Sequence, residues 1–159
     1  MYQEVIMKFL SSKGFTLIEV MIVIMIIVII TAVFMPQYEK AIEKTKVSEA
    51  LLVTRAIADA NRMYNLKNGS YSANIDDLDI QVTGKDSFLA NPRKESRLFS
   101  YAAQGQGAPN SIAVANRLPV STFYTLIIYN DRNGVGCIYY SDRGKKFCQS
   151  LGEDYFVVN

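Results

Sequence analysis

Apolar positions along the chain fall into three successive patterns. From Phe15 to Met35 the side chains are Ile, Val, Met, Leu and Phe on every face. Thr31 is the only residue more polar than alanine between positions 20 and 35. These 21 residues make a helix of about 30 Å, the thickness of a bilayer core. With no polar stripe, such a helix is covered all round, by lipid or by other helices. Pro36 then requires a kink or an end. Beyond it the spacing changes: Leu52, Val53, Ala56, Ile57, Ala60, Met63 and Tyr64 follow i, i+3, i+4 positions, which predicts an amphipathic helix. Arg55 and Asp59, one turn apart, are expected to pair on its wet face, and Asn68-Gly69 supplies a stop.

The third pattern is short β-branched and aromatic runs between turn residues. Residues 122–129 (TFYTLIIY), 135–140 and 145–150 read as strands, separated by turns at Asn133-Gly134 and Ser141–Gly144. Residues 97–103 (RLFSYAA) add a fourth strand, and 105–110 (GQGAPN) read as a loop. The expected fold is α+β: one long helix over residues 15–66, kinked at Pro36, its first half transmembrane and its second half packed on a small antiparallel β-sheet. Residues 67–159 form the globular part.

Composition narrows the chemistry. The 159 residues suffice for one domain with a core. The net charge is only +2 and no basic cluster occurs; Lys145-Lys146 reads as a solvated turn edge, so no nucleic-acid partner is indicated. The chain has no histidine, which removes the commonest general base, the usual Ser–His and Cys–His pairs and most zinc sites. Asp76, Asp77 and Asp79 lack the alternating ligands of a calcium loop. No phosphate-binding glycine loop is present. No catalytic residue, metal or cofactor is expected. Asn68-Gly69-Ser70 fits the glycosylation acceptor pattern but reads first as a turn. The two cysteines, Cys137 and Cys148, suit a disulfide in an exported domain. If Ser141–Gly144 is a four-residue hairpin loop, Cys137 faces Cys148 across the pair, at a spacing a disulfide spans.

The N-terminal segment holds two residues that a plain membrane anchor does not explain. Gly14 precedes the apolar run, where a secretory signal would have its small residues after it. Glu19 sits inside the run, where a charge costs on the order of 3 kcal/mol and marks function by default. Lys8 and Lys13 favour a cytoplasmic N-terminus and an exported C-terminal domain.

The segment KGFTLIEVMIVIMIIVIITAVFMP, about residues 13–36, resembles the N-terminus of type IV prepilins and type II secretion pseudopilins. The resemblance implies the type IV pilin fold and a leader of residues 1–14 ending at Gly14; Met7 offers a second start within it. It implies cleavage after Gly14 by a prepilin peptidase and N-methylation of Phe15. It implies that Glu19 pairs with the N-terminus of a neighbouring subunit during assembly and that Pro36 is the helix-kinking proline. The parts are then residues 15–36, which cross the membrane and polymerise, 37–66, the amphipathic half, and 67–159. The implied partners are further copies in a filament, the peptidase, an inner-membrane assembly platform and its ATPase. The implied locations are the bacterial inner membrane before assembly and an extracellular pilus afterwards. A type II secretion pseudopilin shares this N-terminus and is the alternative; such proteins usually carry a calcium site and lack the C-terminal disulfide common in pilins.

Overall fold

The computed structural model describes residues 14–87, 93–105, 110–119 and 122–158; the leader before Gly14 and most of the predicted 105–110 loop lie outside the described residues. The chain divides into two compact units, Met1–Ala41 and Ile42–Asn159. Helix α1 (Leu17–Asn68) supplies the described helical residues of the first unit and the first element of the second. It ends where Gly69 takes φ +73, a left-handed conformation glycine adopts without strain, and donates its N–H to Asn65 O at 2.8 Å.

In the second unit the sheet has seven strands: β1 (Lys85–Ser87), β2 (Arg93–Glu95), β3 (Phe99–Ala103), β4 (Ser111–Arg117), β5 (Tyr124–Tyr129), β6 (Val135–Tyr139) and β7 (Tyr155–Val158). Their order in space is their order in sequence. Strands β1 to β6 form an antiparallel meander, whereas β7 lies parallel to β6. A parallel neighbour cannot be reached by a tight turn. The crossover is a second helix, α2 (Asp142–Gln149).

That helix corrects the sequence-based expectation of a strand at 145–150 and of an all-antiparallel globular part. Ser141 is an N-cap whose Oγ accepts from Gly144 N at 3.2 Å, and Asp142 puts a negative charge in the first turn. Gly144, Phe147 and Cys148 are buried at helical spacing. Gly144 is there for clearance, since a Cβ would run into the carbonyl of Phe123. Lys145 and Lys146 lie on the exposed side of this helix rather than at a turn edge.

The core lies between the 42–68 part of α1 and one face of the sheet. Alternate strand residues point into it: Phe99 and Tyr101, Ala113 and Ala115, Tyr124 and Leu126, Val135 and Cys137. The helix face that meets them is Val47, Ala50, Leu51, Thr54, Ile57, Ala58 and Asn61. Of the expected stripe only Ile57 is fully buried, while Leu52 and Met63 are 71% and 66% exposed. The face is rotated by roughly a third of a turn, because two of its members are polar. Thr54 returns its hydroxyl proton to Ala50 O at 2.7 Å. Asn61 Nδ2 donates to the carbonyls of Ser72, Gln104 and Ile112 at 3.0–3.1 Å, and its Oδ1 accepts from Ser72 N at 2.9 Å. One amide thus satisfies backbone groups of three segments against the helix. Asp59 pairs with Arg62 at 2.7 Å, not with Arg55.

Candidate functional site

Every large apolar side chain from Phe15 to Met35 is between 49% and 88% exposed. The helix is long and apolar enough to cross a membrane. Between positions 20 and 35 the one hydroxyl, Thr31, donates to Ile27 O at 2.7 Å, so its proton is satisfied within the helix. Pro36 lies inside the helix and brings no N–H for the carbonyl of Ala32, which interrupts the backbone ladder at one place.

Gly14 and Phe15 precede the first helical turn. Among the described residues nothing stands within 4 Å of where a Gly14 side chain would be, and Phe15 is 80% exposed, so no described residue covers the bond between them. Thr16 caps the helix: the Glu19 N–H reaches Thr16 O at 3.1 Å and Thr16 Oγ1 at 3.3 Å. The Thr-Leu-Ile-Glu run has the spacing of a capping box, a signal legible in the sequence and missed there. Glu19 therefore stands in the first turn, where the aligned peptide dipoles favour an anion. Glu19 and the Gly14–Phe15 bond occupy one helix end, and Pro36 lies farther along the same helix.

Residues 10–35 match the family described as the prokaryotic N-terminal methylation motif. The chain carries a prepilin-type methylation motif. Among known proteins, a type IV major pilin protein, PilE1, of Neisseria gonorrhoeae is 44% identical over 63 residues, 40% of this chain and 38% of the relative. A fimbrial protein of Pseudomonas aeruginosa is 35% identical over 98 residues, 60% of this chain and 58% of the relative. The type II secretion system core protein G of Pseudomonas aeruginosa is 38% identical over 72 residues, 45% and 51%. The aligned part spans less than two thirds of each relative's own length. No solved structure matches the chain. The chain is thus similar to relatives named for both kinds of system.

In the second unit the structure joins Cys137 of β6 to Cys148 of α2, with Cα atoms 5.8 Å apart. The bond spans strand to crossover helix, not the two strands of a hairpin. Beside it lies an aromatic cluster in which Phe147 packs on Phe123 and Tyr124 with ring centres 5.6 and 4.9 Å apart.

Sequence reasoning also missed a clamp at the start of the domain-bound helix. The Glu43 carboxylate takes Arg117 Nε at 2.6 Å and the Tyr124 hydroxyl at 2.9 Å on one oxygen, and Lys46 Nζ at 3.0 Å on the other. Arg117 also donates to the carbonyls of Leu98 and Leu118, both at 3.1 Å. Burial pushes the Glu43 carboxyl up, but the hydrogen bonds from Arg117, Lys46 and Tyr124 outweigh it and hold the carboxyl below its ordinary value. Burial first, then the Glu43 charge, drives the Tyr124 phenol far above its usual range. The partners are 74 and 81 residues from Glu43, so local sequence carries no sign of them.

Proposed function

We propose that the chain is a type IV pilin: a prepilin anchored in the bacterial inner membrane, cut after Gly14, N-methylated at Phe15 and polymerised into a surface filament. The observation that carries this is the wholly exposed apolar helix half with one acid, Glu19, beside the cleavable bond. In the membrane the apolar half is solvated by lipid. In a filament it is buried against the same half of other copies. Cleavage frees an amine at Phe15, and a neighbour's Glu19 is its partner. The pairing removes two charges from an apolar interior and sets the axial register of one subunit against the next. The disulfide suits a domain that stays folded outside the cell.

Two measurements test the reading. Mass spectrometry of filaments sheared from cells should give a mature chain starting at methylated Phe15. Glu19→Val should leave the monomer in the membrane and abolish or strongly reduce filaments, because the neighbouring amine loses its counter-charge. Filaments of normal yield from Glu19→Val would remove the register role.

The second reading, a type II secretion pseudopilin, is favoured by the likeness to core protein G. Deleting the gene separates the two: loss of surface filaments with secretion intact supports the pilin, and the reverse supports the pseudopilin.

A further inference from the structure

A cleft of about 210 Å³ opens on the Ile42–Asn159 unit where α1 passes the β5–β6 turn, lined by Arg55, Asp59 and Arg62 of the helix and by Arg132, Asn133 and Gly134 of the turn. We propose that this cleft binds a tetrahedral dianion, a phosphate or sulfate group, among the guanidinium groups of Arg55, Arg62 and Arg132.

Three guanidinium groups drawn from two segments line one small space, and among the described residues Asp59 is the only carboxylate that lines it with them. Two of the three are already oriented. Arg62 is held by Asp59 Oδ1 at 2.7 Å and reaches the Tyr129 carbonyl at 3.4 Å. Arg132 lies over the rings of Tyr129 and Phe156, its guanidinium carbon 4.9 and 5.4 Å from their centres, with its side chain still 53% exposed. Ring stacking fixes the plane of a guanidinium while leaving its N–H edges free. Among the described residues Arg132 pairs with one acid, its neighbour Asp131, at 3.4 Å, and the other Asp131 oxygen is taken by Asn110 Nδ2 at 2.8 Å. Arg55 forms no ion pair among the described residues.

Three cations against Asp59 and Asp131 leave an excess of positive charge. The Arg62–Asp59 and Arg132–Asp131 pairs are solvent-exposed, so water and an incoming anion can compete with each carboxylate for the guanidinium edges. Guanidinium forks match the oxygens of phosphate and sulfate two at a time. The Asp59 carboxylate opposes the ligand, which gives the proposal a signature that a generic basic surface lacks.

The test uses the full chain in neutral detergent micelles, titrated with inorganic phosphate and followed by arginine side-chain NMR. Saturable binding is expected, with shifts at Arg55, Arg62 and Arg132. Loss of one fork, in Arg55→Gln or Arg132→Gln, should weaken binding by about tenfold. Asp59→Asn should tighten it several-fold, because the competing carboxylate is gone. Thermal unfolding of each variant guards against misfolding. A response that rises linearly with phosphate, or that these variants leave unchanged, is a diffuse ion atmosphere and overturns the site. Methyl phosphate in place of inorganic phosphate separates the two sources of the group: binding of similar strength assigns the cleft to phosphate esters as well, and loss of binding assigns it to the free ion. Filament formation is not the readout, so the outcome is independent of the pilin reading.

Discussion

Glu43 illustrates what a single residue contributes that its neighbours in sequence do not announce. Its side chain is 12% exposed and meets three partners, Arg117, Tyr124 and Lys46. Its folded pKa is depressed, so the unfolded chain binds the proton more readily. The stability this adds is fully present above the ordinary glutamate value of 4.5 and is lost as pH falls through the lower folded value. Glu43→Gln keeps the shape but removes the charge. It should cost about 2 kcal/mol at pH 7, the scale of hydrogen bonds to a charged group. It should also flatten the acid limb of a plot of stability against pH. A wild-type acid limb reproduced unchanged by Glu43→Gln in urea unfolding would show that the clamp is not the group titrating. Asn61 is the same kind of residue. Its amide reads as a surface helix position, yet it is wholly buried because three backbone segments present their unpaired groups to it.

At the scale of elements, α2 and its disulfide carry the most instructive difference between expectation and structure. The cysteine pair is legible from two cysteines in a domain expected to be exported, but the hairpin expected to bring them together does not exist. Ser141-Asp142 is an N-cap signature, and Gly144 two residues later masks it by resembling a turn. The glycine is required by packing against Phe123, which no local pattern encodes. The bond closes a separation of 11 residues, worth about 3 kcal/mol in the chain-entropy model. Replacing Cys137 and Cys148 together by serine should lower domain stability by about that amount. Protease cleavage should then concentrate in α2, whose few buried residues hold it to the sheet. Leader processing should be unchanged. Equal protease resistance of the reduced and oxidised chains would show that packing alone keeps α2 in place. The missed strands have their own reasons. Lys85–Ser87 and Arg93–Glu95 are too short and polar to register as strands. Strand β4 is buried on both faces from Ile112 to Asn116, so its alternation disappears.

For the whole molecule, the proposed filament raises the question of how a chain with an exposed apolar helix half would carry tension in a polymer. Pro36 leaves the Ala32 carbonyl without its usual donor, so the ladder is weakest there, between the apolar half and the Ile42–Asn159 unit. In a filament built as proposed, that stretch is where extension starts. Pro36→Ala restores the N–H and removes the ring, and filaments of this variant should extend less at a given force. Force-extension traces of single filaments check this; traces that overlay wild type would place the elasticity elsewhere.

The sequence by itself determined what is local or periodic. The span from Phe15 to Met35, the Gly14-Phe15 bond, the lone acid at Glu19 and the proline at 36 need only neighbours along the chain to be recognised. In the proposed reading their chemistry is directed at lipid, an enzyme or other copies rather than at this chain's own core. The tertiary structure alone decided which face of the amphipathic half is buried, since Thr54 and Asn61 are acceptable inside only when Ala50 and the segments around Ser72, Gln104 and Ile112 satisfy them. It also decided that residues 142–149 form a helix, that β7 returns parallel to β6, and that Arg55, Arg62 and Arg132 share one cleft. Each depends on groups far apart in sequence, and the free energy of satisfying or packing them exceeds the local preferences that sequence patterns record.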